Sequence, residues 1–144
     1  MPTQIVTDES VLSIKCSPCN VTDPSLYIKV DELISTAEAA KNPSATGLAF
    51  NQIGVLLRGF VIKLNDHYTP IINPQYVSRS TSMKSRNETC LSRPGMPPIG
   101  VRRHNKVQIE YYDVESRERV RRTFHAFEAR VIQHENDHLN GVLI

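Results

Sequence analysis

The stretch QHENDHLNG, residues 133–141, constrains the fold more than any other part of the chain. Phe127, Val131, His134 and His138 follow one another at intervals of 4, 3 and 4 residues. A helix turns once every 3.6 residues or about that, so the four share one face, and the apolar pair marks it as the inward face. A chain built around this helix must bring two imidazoles to its interior and supply partners for them, because buried polar groups without partners are costly. Asn140-Gly141 provides a C-cap, which sets the helix at about 126–140.

The remaining elements follow from periodicity. Asp23 as N-cap and Pro24 at the first helical position open an earlier helix, whose stripe is Leu26, Val30, Leu33, Ile34 and Ala37. Asn42-Pro43 ends it, since a residue before proline avoids the helical region. GFVIKL (59–64) and PIINPQYV (70–77) read as strands joined through Asn65-Asp66 turn chemistry. KVQIEYYDV (106–114) alternates Val107, Ile109 and Tyr111 on one face, and RVRRTFHAF follows after a charged turn, which predicts an antiparallel hairpin with a solvated basic strand. The polar stretch 78–86 reads as loop. The expected fold class is α+β: short, mostly antiparallel strands packed around the late helix, with one earlier helix, in a single domain over residues 1–144.

Composition excludes several classes. Hydrophobic residues make up 40% and charged residues 22%, a globular rather than disordered balance. A net charge of +2, from 17 basic and 15 acidic residues, gives no sign of a specific nucleic-acid site, and Arg117, Arg119, Arg121 and Arg122 read as a solvated face. No secretory signal and no apolar run of membrane-spanning length is visible. Three cysteines, Cys16, Cys19 and Cys90, do not make a disulfide framework, and a soluble protein of a reducing cytoplasm is expected.

Imidazoles at i and i+4 can hold one metal ion together, and Glu135 then stands beside the ion, placed to take a proton from bound water. The same pair also fits a satisfied pair of core or surface histidines, so a third ligand decides. His67, His104, His125, the carboxylates and the cysteines are the candidates. Cys90, in ETCLS (88–92), would complete a thiolate-and-imidazole set suited to Zn(II) or Fe(II) with one position open for water; read alone, it is an inert buried thiol. ATGLAFNQIG (45–54) is either a glycine-bounded strand or the carrier of Gln52, an amide able to donate to a developing oxyanion. Three further readings stay open: a peptidase that dispenses with Cys90, a structural zinc site made by Cys16, Cys19, His134 and His138, and a redox pair in CSPC (16–19). Cys16 and Cys19 read most simply as ordinary residues of an extended N-terminal segment.

TGLAFNQIG, ETCLS and QHENDHLNG, in this order and spacing, resemble the peptide deformylases, whose corresponding stretches are G-x-G-L-A-A-x-Q-I/V-G, E-G-C-L-S and Q-H-E-x-D-H-L. The resemblance covers most of residues 24–144. It implies removal of the N-formyl group from the initiator formyl-methionine of nascent polypeptides, with release of formate. It makes Cys90, His134 and His138 ligands of one divalent metal ion, Fe(II) natively with Zn(II), Ni(II) or Co(II) as substitutes. Glu135 becomes the general base and acid for attack by a metal hydroxide, and the Gln52 amide and Leu91 N–H become oxyanion donors. Glu88 is implied to pair with Arg103, or with the adjacent Arg102, in support of the metal site, and Asp137 to be structural. Phe127 and Val131 would line the methionine slot, and Gly47 and Leu48 would pair with the substrate backbone as an added strand.

Thr89 stands where the family has glycine in E-G-C-L-S, Ala45 where it has the first glycine of the first stretch, and Phe50 where it has a small alanine. All three bear on substrate preference. The chain stops three residues after Gly141. It is thereby similar to short members encoded by bacteriophages, which would act in the host cytoplasm, and lacks the extension that docks some members on the ribosome. Formyl-methionyl peptides, with the ribosome behind them, are the implied partners of a monomeric enzyme that needs no membrane.

Overall fold

The computed structural model describes residues 2–41 and 45–144. Asn42-Pro43, expected to end the first long helix, lies outside the described residues. In chain order the elements are α1 (Glu9–Leu12), α2 (Ser25–Ala39), β1 (Gly47–Ala49), a 3-10 turn (Phe50–Ile53), β2 (Gly59–Leu64), β3 (His67–Arg79), β4 (Met83–Glu88), β5 (Ile99–His104), β6 (Lys106–Asp113), β7 (Glu118–His125) and α3 (Ala126–Leu139). The α+β class read from the sequence is the class observed. Among the described residues no helix is long and apolar enough to cross a membrane.

Five strands form an antiparallel sheet in the order β1-β2-β3-β6-β7, and β4 and β5 form a separate two-stranded ribbon. The β2–β3 hairpin closes through Asn65 and Asp66, at φ 50° and 65°, a pair of left-handed residues that matches the twist of the flanking strands. β2 is apolar almost throughout because both faces of the sheet are covered. Phe60, Ile62 and Leu64 pack on the α3 side with Ala129, Ile132 and Leu139. Val61 points the other way, into the cluster that α2 builds from Leu26, Val30, Leu33 and Ala37. The helix stripe read from the sequence is therefore core, and Asp23 accepts a 2.9 Å hydrogen bond from the Ser25 N–H at its start.

β3 carries two prolines inside the sheet. It tolerates Pro74 by bulging: Asn73 takes φ 49° and the register with β6 shifts between Ile72 and Gln75. The freed Asn73 amide grips the backbone of Cys19, accepting from its N–H at 2.7 Å and donating to its carbonyl at 3.0 Å. The N-terminal segment is thus tied across the sheet. Cys16 and Cys19 are both buried along it in different core clusters, and burial pushes the Cys19 thiol up to about 11.

The polar stretch 78–86 is not the loop expected. β3 continues through Arg79, and β4 begins at Met83 and pairs with β5 from Met83↔His104 to Glu88↔Ile99. Its residues 84–87 are all exposed, so no alternation of apolar and polar residues announces the strand; backbone pairing holds it. The β6–β7 hairpin is as expected, and its arginines lie on a solvated strand, with Arg119 and Arg121 paired to Glu110.

α3 ends at Asn140 with Gly141 at φ 76°, where the Gly141 N–H donates to the His138 carbonyl and the Val142 N–H to the Asp137 carbonyl. A Cβ on Gly141 would stand 2.3 Å from the Ser13 carbonyl oxygen, so glycine is needed here for space as well as for its backbone angle.

Candidate active site

Three stretches far apart in sequence meet at the buried face of α3. Cys90 Sγ lies 3.3 Å from His138 Nε2, which lies 3.2 Å from His134 Nε2. The three donor atoms fall within 4.8 Å of one another, and no other such group of cysteine, histidine or carboxylate donors occurs among the described residues. One thiol and two imidazoles at this separation fit a single divalent ion of the zinc or iron type. Cys16 and Cys19 take no part, which removes the four-ligand structural zinc reading.

The wiring behind these side chains explains their orientation. Glu88 accepts from His134 Nδ1 at 2.7 Å, so the other ring nitrogen of His134 faces Cys90 and His138. Arg103 holds Glu88 by two hydrogen bonds, at 2.7 and 3.0 Å, and reaches Asp137 with its third nitrogen. Between the two arginines the structure chooses Arg103, which is buried, while Arg102 is exposed. Gln52 is fixed at both ends of its amide. Its Oε1 accepts from the Ala49 N–H at 2.9 Å, which leaves Nε2 pointing at Cys90 Sγ (3.3 Å) and Ser92 Oγ (3.1 Å).

Burial and charge set the protonation of this cluster. Burial alone would raise the Glu88 carboxyl, but hydrogen bonds from His134 and Arg103 and the guanidinium charge hold it down at about 2. His134 is opposed by burial too, yet Cys90, Glu88 and the Glu135 carboxylate outweigh it and lift the ring to about 10. Burial, then the charge on His134, press His138 down to about 3, so it is neutral. A metal ion at these atoms would take the place of the His134 proton. Burial pushes Glu135 up to about 7, and its Oε2 has no hydrogen-bond partner within the protein.

Glu135 faces a cleft of about 510 Å³ that also receives Gln52, Cys90, Leu91 and His134. One wall is β1, the edge strand of the five-stranded sheet. Gly47 permits this closeness: a Cβ there would stand 3.0 Å from both Glu135 Cγ and Val131 Cγ1. Leu48 points away into the α2-side core and does not line the cleft, although its backbone lies on the same edge. Val131 lines the cleft and is buried. Phe127 also lines it but is 52% exposed, so the first turn of α3 lies at the mouth rather than turned into the core as expected.

The family model described as polypeptide deformylase matches residues 2–144. The chain belongs to the polypeptide deformylase family. It is 36% identical over 138 residues to peptide deformylase 1 of Clostridium perfringens, covering 94% of this chain and 90% of that protein. It superposes with a TM-score of 0.88 at 29% identity on the crystal structure of peptide deformylase from Thermotoga maritima, covering 99% and 95% of the two chains. A class I type b peptide deformylase from Acinetobacter baumannii, solved with Met-Ala-Ser bound, gives a TM-score of 0.87 at 26% identity, covering 99% and 96%.

Within this deformylase fold the three departures fall in different places. Thr89 is exposed on the cleft and Ala45 is buried in its wall. Phe50 is in the α2-side core, where Gly59 leaves room for it: a Cβ on Gly59 would stand 2.6 Å from the Phe50 ring. It does not bear on the cleft. Sequence reasoning missed two polar residues. Ser92, within ETCLS, accepts from Gln52, and Gln133, within QHENDHLNG, clamps β5 to α3 by accepting from the His104 N–H and donating to its carbonyl, both at 2.8 Å. Each sits beside a residue that was singled out, and adjacency was the one available signal.

Proposed function

We propose that this deformylase-family chain hydrolyses the N-formyl group of formyl-methionyl polypeptides at the Cys90–His134–His138 site, with Glu135 as the proton carrier. One observation carries this reading: Cys90, His134, the partnerless Glu135 and Gln52 line one cleft beside an open strand edge, and the buried His138 completes the donor set within 4.8 Å. Cys90 Sγ, His134 Nε2 and His138 Nε2 would hold the ion. When bound, a divalent ion there supplies a Lewis acid and lowers the pKa of water towards about 7.

Glu135, poised at about 7, accepts the proton of the attacking water and returns it to the nitrogen of the departing amine. Gln52 Nε2, held by Ala49 and aimed at the thiol, donates to the oxygen that gains charge, joined by the Leu91 N–H. The edge of β1 at Gly47 and Leu48 pairs with the backbone of an extended peptide, and Val131 and Phe127 receive the methionine side chain. A methionine-first tripeptide bound to the Acinetobacter relative supports this substrate class.

Glu88 and Arg103 position His134 without touching substrate. Fe(II) is the proposed native ion, with Zn(II), Ni(II) or Co(II) as substitutes, and metal analysis after anaerobic purification checks it. We further propose a monomer acting in the cytoplasm on chains presented by the ribosome. The deciding experiment measures formate release from a formyl-Met peptide by the wild type and Glu135→Ala side by side. Activity in the first, near-complete loss in the second and equal metal content are expected. Undiminished formate release from Glu135→Ala would overturn the mechanism.

A further inference from the structure

A second concavity of about 450 Å³ opens beside the cleft and shares Phe127 and Arg130 with it. Its lining is Lys84, Arg86, Arg103, His104, Asn105 and Ala126 together with those two residues, so no carboxylate faces it. Arg103 is consumed by Glu88 and Asp137. Lys84, Arg86 and Arg130 are in another state. Among the described residues none of them has a salt-bridge partner, and Arg130 lies 4.9 Å above the Phe127 ring.

The placement of these cations follows from the strand. Glu88, Arg86 and Lys84 alternate onto one face of β4, the face that Glu88 turns towards His134. At a rise of about 3.3 Å per residue, Arg86 and Lys84 lie roughly 7 and 13 Å along β4 from Glu88. An extended peptide covers that distance in about two to four residues. The chain satisfies its other basic cluster differently: Arg119 and Arg121 pair with Glu110, and Arg117 and Arg122 lie over the rings of Tyr27 and Phe124. Two unpaired cations, Lys84 and Arg86, with Arg130 stacked on Phe127 at their side, surround one groove that continues into the cleft, and their charge calls for an anionic occupant.

We propose that the groove of Lys84, Arg86 and Arg130 binds acidic side chains that follow the methionine by about two to four positions, so that acidic formyl-methionyl peptides are the preferred substrates. This rests on the cleft being the site where formyl-methionyl peptides are hydrolysed. Continuity with the cleft favours a segment of the substrate over a separate partner, and charge complementarity selects carboxylates.

The test compares kcat/KM for two amidated peptides, formyl-Met-Ala-Gly-Glu-Glu and formyl-Met-Ala-Gly-Gln-Gln, which differ in charge but hardly in shape. A preference for the acidic peptide of about three- to tenfold is expected, from exposed pairs of ordinary strength, and expressed in KM. In the Lys84→Gln/Arg86→Gln double variant the preference should vanish while the rate on the neutral peptide stays unchanged. Salt at about 1 M, where screening acts within about 3 Å, should abolish the preference in the wild type as well. Equal kcat/KM for the two peptides in the wild type overturns the proposal while leaving deformylation intact, as does a preference that survives in the double variant. Formate from neither peptide overturns the underlying activity and the proposal with it. Tighter binding of a single-stranded oligonucleotide than of the acidic peptide, lost in the same variant, would assign the groove to nucleic acid and overturn it too.

Discussion

α2 and α3 are helices of 15 and 14 residues that cover opposite faces of the same sheet, and they are buried on opposite terms. α2 turns in Leu26, Val30, Leu33 and Ala37, with Thr36 as the one polar group, and the Thr36 hydroxyl donates to the Glu32 carbonyl within its own helix. α3 turns in Ala129, Val131, Ile132 and Leu139 but also Gln133, Glu135 and His138. Hydrocarbon needs only contact, so α2 is complete once packed. The polar groups on α3 look to other elements: Gln133 is met by His104 of β5, His134 by Glu88 of β4 and His138 by Cys90, while Glu135 Oε2 is left without a partner. The α3 side therefore trades stability for placement, and substitutions on the two sides should separate cleanly.

The largest effect should fall on the α3 side and leave stability alone. Glu135→Gln should lower kcat by about a hundred- to ten-thousandfold. Its melting temperature should not fall, because it removes a carboxylate that burial already pushes up to about 7. A parallel loss of melting temperature and activity would erase the distinction between the helices. Leu33→Ala, fully buried on α2, should cost about 2–5 kcal/mol in denaturant unfolding while activity per folded molecule is kept.

Glu88→Gln tests the wiring between the two kinds of burial. Loss of the charged partner of His134 and Arg103 should weaken metal binding by about ten- to a hundredfold in a chelator competition. The same carboxylate gives the acid limb of stability its sign. Its folded value of about 2 lies below the ordinary 4.5, so its contribution is fully present above about 4.5 and is lost as pH falls towards 2. Unfolding titrations of Glu88→Gln should show a flatter acid limb than the wild type. The smallest effect belongs to Arg119→Ala on the solvated strand, whose exposed pair with Glu110 should be worth under about 1 kcal/mol.

What the sequence disclosed follows the same division. α2 and β2 were legible because a buried apolar face repeats with the period of its element. β4 was not, since its residues 84–87 are exposed and write no such period, and β5 turns the charged Arg103 rather than an apolar residue into its buried position. The pairing of His134 with His138 was legible as a one-turn spacing. Gln133 and Ser92 were not, because a hydrogen bond across 29 or 40 residues leaves no local trace. Phe127 fell on the expected face of α3 and yet lies half exposed, because the first turn of the helix opens onto the mouth of the cleft.

Gly47 carries one last consequence, for escape from inhibitors. A compound that imitates an extended peptide would lean on the edge of β1, whose contribution is main chain and so is unchanged by mutation. At position 47 the gene has no side chain to vary, since any Cβ would meet Glu135 and Val131 at 3.0 Å. Resistance to such a compound would have to arise elsewhere around the cleft, at positions such as Thr89 or Met96, where exposed side chains line it and can change without moving Glu135.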